Sequence, residues 1–364
     1  MRLSRWQNIA LSFVGLAVFG ALVFGLIYKV PVVVFQPGEP SDSADFVTVF
    51  GIEPNGGESQ VLITTTVVVT EPPALQWLWL RYVNDFNEFE ETEQFFGTDT
   101  TEEEVDAFND SEMVNSQNAA ELVALDQIGL DVSDSELVVA EVIDDTAAVG
   151  VVETGDVITE IDGTEVKTAG ELIDFLVDKS PGDTLELTVL SPDADETEVR
   201  ELVLGEFPDE PDRAFVGIQP GERVLVDEEA LDALPFQIEF DSNEVGGPSA
   251  GLALTIEILD QLSEGDLLGG TDIAFTGTIR LDGSVGGIGG LPQKAVGVRN
   301  FDVDTFIIPV QGGSEENLRL ATEFVEGGVN IIEVSTLQEA LDAIEELGGN
   351  VDVLDGLGER LTAP

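Results

Sequence analysis

Apolar positions fall into runs of different period along this chain, and each period predicts a different element. Ile9 to Tyr28 is uncharged and rich in Leu, Val, Phe, Gly and Ala, about the 20 residues that cross a hydrocarbon core. Such a run is a transmembrane helix or a signal peptide. No small-x-small cleavage pattern follows cleanly and the run is longer than a usual signal core, so it reads as an uncleaved signal anchor. Arg2 and Arg5 precede it and only Lys29 follows before a long acidic stretch. That asymmetry predicts a single-pass protein of the cell membrane, its N-terminus cytoplasmic and its body extracytoplasmic. Gln60 to Thr70 is β-branched enough for a strand, stopped by Glu71-Pro-Pro, and Met113, Ala119, Leu122 and Leu125 stand near helical spacing within a helix from Glu102 to about Ile128.

From about Ser133 to Leu204 the period shortens. Leu137–Val142 and Asp156–Ile161 predict strands, the second ending in the Asp162-Gly163 turn. Ala169–Val177 predicts a helix, and Thr184–Leu190 with Glu198–Val203 a closing hairpin. The run from Gly155 to Val166, with Leu172, Leu176 and Gly182-Asp-Thr-Leu-Glu-Leu, resembles a PDZ domain. The resemblance implies a unit that takes an extended peptide by strand addition, although a carboxylate-binding loop is not recognisable.

Strands and helices alternate from about Gly205. A helix follows Ser249. Asp272–Arg280 reads as a strand and Asp282-Gly283 as a turn. A short helix through Lys294 comes next, then strand Thr305–Val310, helix Glu315–Val325, strand Asn330–Val334 and helix Leu337–Leu347. The alternation predicts an α/β domain. The tail after Gly348 reads as a frayed end.

Within this domain, Glu244-Val-Gly-Gly-Pro-Ser-Ala-Gly-Leu-Ala253 delivers Ser249 through a glycine-rich turn to the start of a helix that is apolar nearly all round. A hydroxyl there meets the positive end of a helix dipole and free N–H groups, which suits a nucleophile. The same pattern also describes an N-cap serine.

Composition narrows the chemistry. The chain has no cysteine and no histidine, which removes cysteine nucleophiles, disulfides, imidazole bases and the usual zinc sites. Its 73 acidic residues against 14 basic ones give a net charge of −59. With 43% hydrophobic residues in periodic runs, this describes folded domains with an acid-coated surface rather than a disordered chain. Such repulsion is tolerated where salt screens it, so the reading is halophilic, and nucleic acid is not a partner. Only four lysines exist, Lys29, Lys167, Lys179 and Lys294, and Lys294 alone lies in an apolar, glycine-rich context. Without histidine, a serine nucleophile needs another base, and a buried lysine can serve.

The stretch from Ser242 to Pro309 resembles the proteolytic domain of the Lon family in four ordered motifs. These are Gly247-Pro-Ser-Ala-Gly-Leu-Ala, Thr276-Gly-Thr-Ile, Gly287-Ile-Gly-Gly-Leu-Pro-Gln-Lys-Ala-Val and Phe306-Ile-Ile-Pro. The resemblance implies that Ser249 is the nucleophile and Lys294 its partner, that Thr276 supports the lysine, and that backbone N–H groups at Gly247 and Ser249 form the oxyanion hole. Gly246 and Thr278 stand where many ATP-dependent Lon enzymes have acids, and Gln311 where an Asn is common, so those groups are not carried over. No Gly-Lys pair makes a phosphate-binding loop.

Together the segments resemble the single-pass PDZ-Lon proteases of bacteria. The expected architecture is an N-terminal anchor (1–30), a juxtamembrane α+β region (31–130), a PDZ domain (131–205), an α/β Lon-type proteolytic domain (206–348) and a tail (349–364). The implied function is an ATP-independent serine endopeptidase without cofactor or metal, acting on protein or peptide substrates, held in the membrane by residues 9–28, and forming a homo-oligomeric ring by analogy with Lon. A membrane-anchored PDZ scaffold with a silent protease-like domain, and a serine esterase or amidase, are the other readings.

Overall fold

The computed structural model describes residues 5–52, 59–83, 86–92, 95, 102–144, 146–192, 194, 196–207, 210–241, 246–263, 267–310 and 314–363. Its contacts divide the chain into two units, one made of residues 1–130 with 234–364 and the other of residues 131–233. This departs from the expected division in how residues 31–130 and 206–233 are grouped. Residues 31–130 fall in the first unit with residues 234–364, and residues 206–233 fall in the second with residues 131–205.

Helix α1 runs from Arg5 to Ile27, with its described side chains, Trp6 and Phe13 to Ile27, mostly exposed and apolar. Among the described residues no helix is long and apolar enough to cross a membrane. Strands β1 (Val32–Pro37) and β2 (Val47–Phe50) follow. The β-branched run expected as one strand is two, β3 (Val61–Ile63) and β4 (Thr66–Thr70), in different sheets. Helix α2 (Ala74–Val83), strand β5 (Glu88–Glu91) and helix α3 (Glu102–Gln127) complete the first half. Strand β1 pairs antiparallel with both β4 and β5.

In the second unit, β6 (Ser133–Val142), β7 (Val157–Ile161), β8 (Thr184–Leu190), β9 (Glu198–Val203) and β10 (Ile218–Val226) form one sheet in the order β9-β8-β7-β6-β10, with helix α4 (Ala169–Val177) alongside. Thr168 and Glu171 build a reciprocal capping box at the start of α4, which satisfies two otherwise orphaned N–H groups. Leu137, Val139, Ile158, Ile161, Leu185 and Leu187 fill the core, the alternate positions that a period of two predicts. Strand β10 covers β6 from Val142 to Ser133, so β6 is paired on both sides.

Strand β11 (Gln237–Phe240) returns the chain to the first unit and pairs with β2. Helix α5 (Gly251–Leu262) is buried on nearly every face. The expected strand Asp272–Arg280 breaks into β12 (Ile273–Phe275) and β13 (Thr278–Ile279), and β13 forms a hairpin with β14 (Val285–Gly286). Helix α6 (Leu291–Asn300), strand β15 (Thr305–Pro309), helix α7 (Glu315–Val325), strand β16 (Asn330–Val334) and helix α8 (Leu337–Glu346) alternate as the sequence predicts. Strands β3, β12, β15 and β16 lie parallel in that order. The N-terminal half therefore contributes a strand to the α/β sheet itself. Leu62, Ala274, Leu291, Ala295, Phe306 and Ile308 pack between this sheet and its helices. The tail is not frayed. Leu354 and Leu357 are buried, and the Gly358 N–H donates to the Ile128 carbonyl at 3.1 Å.

Candidate active site

The site forms where three elements of the first unit meet. Ser249 sits in a single 3-10 turn, Pro248–Ala250, that runs directly into α5. No side chain caps either start, so Ser249 is not an N-cap serine. Its carbonyl is fixed instead, accepting from the Gly277 N–H at 3.0 Å and from the Thr276 hydroxyl at 3.2 Å. Gly277 is the break between β12 and β13, at φ 149°, a conformation that residues with a Cβ rarely adopt. A Cβ there would also meet Val285 Cγ1 at 2.6 Å. Gly251, at the start of α5, is required by close approach: a Cβ would lie 2.8 Å from the Ile279 nitrogen and 2.8 Å from Ser116 Oγ.

Lys294 lies in the first turn of α6, which starts at Gly290 with Pro292 in its first turn. Its ammonium nitrogen donates to Ser249 Oγ at 2.9 Å and to Thr276 Oγ1 at 3.0 Å. The residue is 3% exposed. Among the described residues no carboxylate is within ion-pair distance of it. Burial without a counter-charge penalises the ammonium and pushes its pKa from 10.5 down to about 7. The N-terminal end of α6 acts in the same direction, since its partial positive charge disfavours a cation in the first turn. Lys29, Lys167 and Lys179 instead face Glu71, Asp134 and Asp162.

The arrangement can move a proton. An amine with a substantial neutral fraction beside a hydroxyl can take it, and the hydroxyl sits at a helix N-terminus that stabilises negative charge. Residues 238–346 match the Lon protease (S16) C-terminal proteolytic domain family, and residues 123–200 match the PDZ domain family. The chain carries a PDZ domain and a Lon C-terminal proteolytic domain. A similar relative is the Lon protease of Desulfatibacillum aliphaticivorans, 30% identical over 123 residues, which are 33% of this chain and 14% of that protein. Another is the mitochondrial Lon protease homolog of Debaryomyces hansenii, 36% identical over 98 residues, 27% of this chain and 9% of that one. The chain thus matches a small part of these relatives' length. The crystal structure of the PDZ domain of an SdrC-like protein from Listeria monocytogenes is 32% identical, covering 23% of this chain and 85% of that one with a TM-score of 0.21.

Two features of the Lon-type domain depart from, or add to, the sequence reading. The Gly247 N–H, expected in an oxyanion hole, donates to the Asn109 carbonyl of α3 at 3.1 Å. About two turns further along α3, the Ser116 hydroxyl donates to the Pro248 carbonyl at 3.1 Å. Helix α3 therefore clasps the loop that carries Ser249, from a segment the sequence reading gave no chemistry. The leading Glu244 and Val245 of that motif, and Gln311, lie outside the described residues. A second buried polar group lies on α5. Glu257 stands 2.6 Å from Ser43 Oγ and accepts from Gln261 Nε2 at 2.6 Å. Burial pushes its carboxyl up to about 7, and in the protonated form it would donate to Ser43, whose hydroxyl donates to the Val61 carbonyl at 2.7 Å. An acidic residue in the middle of the mostly apolar run 252–259 was the available signal.

Proposed function

We propose that the chain is a membrane-anchored serine endopeptidase working through a Ser249/Lys294 dyad. The observation that carries this reading is the 2.9 Å approach of the Lys294 amine to Ser249 Oγ, at a buried position where, among the described residues, the amine's hydrogen-bond partners are hydroxyls. Neutral Lys294 takes the Ser249 proton as Oγ bonds to the substrate carbonyl carbon. The ammonium then delivers that proton to the leaving amine as the peptide C–N bond breaks, and water attacks the acyl-enzyme with Lys294 again as base. The Ser249 N–H at the helix start faces the developing oxyanion. Gly247 can join it only after its N–H leaves the Asn109 carbonyl. Thr276 keeps the amine aimed at Oγ. The sequence contains no phosphate-binding loop, which supports activity without ATP.

Helix α1 serves as the anchor in this reading, because the sequence from Ile9 to Tyr28 is uncharged and its described side chains face outward. The body then lies outside the cytoplasm, and protease added to intact spheroplasts should digest it. Complete protection would overturn that orientation. In the PDZ domain β6 is already covered by β10, so an added peptide strand must use β9, the free side of β10, or displace β10. The acid-coated surface supports a requirement for salt, tested by a melting temperature that falls as salt is lowered.

A fluorophosphonate probe tests the catalytic reading. It should label the wild type and neither Ser249→Ala nor Lys294→Arg, since a guanidinium cannot accept the proton, and casein digestion should follow the same pattern. Labelling that survives in Lys294→Arg would sink the dyad. An unreactive wild type would favour a scaffold, and cleavage of p-nitrophenyl esters without casein would favour an esterase.

A further inference from the structure

Trp and Tyr are scarce in this chain and unevenly placed. It contains 3 Trp and 2 Tyr against 20 Phe. Trp6 lies near the start of α1, Tyr28 just past its end, and the remaining three, Trp77, Trp79 and Tyr82, lie on or beside one helix, α2. All five therefore mark one end or the other of α1.

Helix α2 is joined closely to the end of α1. The Ala74 N–H donates to the Tyr28 carbonyl at 2.8 Å, the Tyr28 ring stacks on Phe24 at 5.1 Å, and a Cβ on Gly25 would lie 2.8 Å from Leu75 Cγ. Leu75, Leu78, Trp79 and Tyr82 follow the i, i+3, i+4, i+7 spacing that places them on one face. Leu75 is half-buried against α1, but Leu78, Trp79 and Tyr82 are 43%, 57% and 76% exposed. The opposite side of α2 is inside the protein, where Leu80 is buried. In a chain of net charge −59, the only charge on this helix is Arg81, whose guanidinium lies over the Phe89 ring at 5.3 Å. An exposed apolar face on a surface otherwise coated with acid needs an apolar environment, and its continuity with α1 identifies which one. Indole and phenol rings favour the boundary between headgroups and acyl chains, where one edge is dry and the other wet.

We propose that the Leu78, Trp79 and Tyr82 face of α2 lies in the outer leaflet of the lipid bilayer as an interfacial helix, docking the proteolytic unit against the membrane beside its anchor. This rests on α1 being the anchor. An interfacial helix buries its apolar face by about 5–10 Å, so α2 would hold the site's unit at a fixed height and orientation over the bilayer rather than on a free tether.

Two full-length single-tryptophan proteins reconstituted in phosphatidylcholine vesicles separate the two ideas. One keeps only Trp79 (Trp6→Phe, Trp77→Phe) and the other only Trp6 (Trp77→Phe, Trp79→Phe). With lipid brominated near the carbonyl end of its chains, Trp79 should lose most of its emission, and with lipid brominated near the methyl end it should lose much less. Adding Leu78→Glu and Tyr82→Glu to the Trp79 protein should abolish that loss while Trp6 quenching persists in its own protein. Quenching of Trp6 without quenching of Trp79 overturns the docking and leaves the anchor intact, as it would if a second copy covered this face. Absence of quenching in both proteins overturns the anchor and the docking together.

Discussion

Asp156 in one unit and Lys294 in the other are both buried ionisable groups, and the two are treated in opposite ways. In the PDZ domain, Asp156 is 1% exposed and fully supplied. It accepts from Arg200 at 2.7 Å, from the Ser191 hydroxyl at 2.7 Å and from the Glu153 N–H at 2.9 Å. Burial alone would raise its pKa, yet these three donors outweigh burial and hold it below the usual carboxylate range. In the Lon-type domain, Lys294 is 3% exposed and among the described residues meets only hydroxyls, so burial drives it toward neutrality. A buried ion with its counter-ion fixes a fold. A buried ionisable group left without one is held in its reactive form, at a cost in stability.

Removing the lysine should sharpen this contrast most. Relative to the unfolded chain, a pKa lowered from 10.5 to about 7 costs nothing above pH 10.5, accumulates as pH falls toward 7 and is complete below it. Lys294→Met removes a penalty of about 5 kcal/mol, offset by about 1 kcal/mol for each hydrogen bond lost by Ser249 and Thr276. Urea unfolding should therefore find the variant more stable than wild type at pH 6, with the gain gone by pH 10.5. An equal difference at both pH values would contradict the lowered pKa.

The same operation on the PDZ side should do the reverse. Arg200→Met leaves the Asp156 carboxylate with the Ser191 and Glu153 donors but without a counter-charge, and should cost about 3 kcal/mol near neutrality. Because the Asp156 pKa is lowered from 3.8, the loss should shrink as pH falls below the carboxylate range and both proteins become protonated there. A pH-independent loss would point to side-chain packing instead. Glu257 is an intermediate case, buried with neutral partners. Its pKa, raised from 4.5 to about 7, imposes a cost that begins above pH 4.5 and is complete above 7, so Glu257→Gln should gain about 3 kcal/mol at pH 8 and little at pH 4. Unfolding curves at the two pH values check it. The smallest effect is expected at Thr276. Thr276→Val loses the hydroxyl that holds both Lys294 and the Ser249 carbonyl, about 1 kcal/mol of positioning, and peptidase turnover should fall up to about tenfold without a change in fold.

Much of the site was legible because its chemistry is local. The glycine and proline pattern around Ser249 and the apolar setting of Lys294 can be read directly, and the absence of histidine left few bases to consider. The α/β alternation after Gly205 was equally clear, since β15, α7 and β16 keep their period over their whole length. What escaped was long-range. Nothing in Val61–Ile63 announces that it pairs with Ile273–Phe275, more than half the chain away, so residues 31–130 read as a separate module. The β-branched run gives no sign of its break at Thr64 and Thr65, where the backbone leaves one sheet for another. The Asn109 carbonyl that occupies the Gly247 N–H is a main-chain group, invisible to any reading of side-chain types. The tail looked frayed because its burial depends on two isolated residues, Leu354 and Leu357, and not on a periodic run.

The central claim is that Lys294 beside Ser249 titrates near neutrality, so that a substantial neutral fraction exists near pH 7. With only four lysines, lysine labelled with carbon-13 at Cε gives a spectrum simple enough to titrate, and Lys294→Met assigns the signal that disappears. The account predicts that this signal titrates at about 7, while that of Lys167, bonded to Asp134, titrates above 10.5. A Lys294 signal that titrates near 10.5 would contradict it.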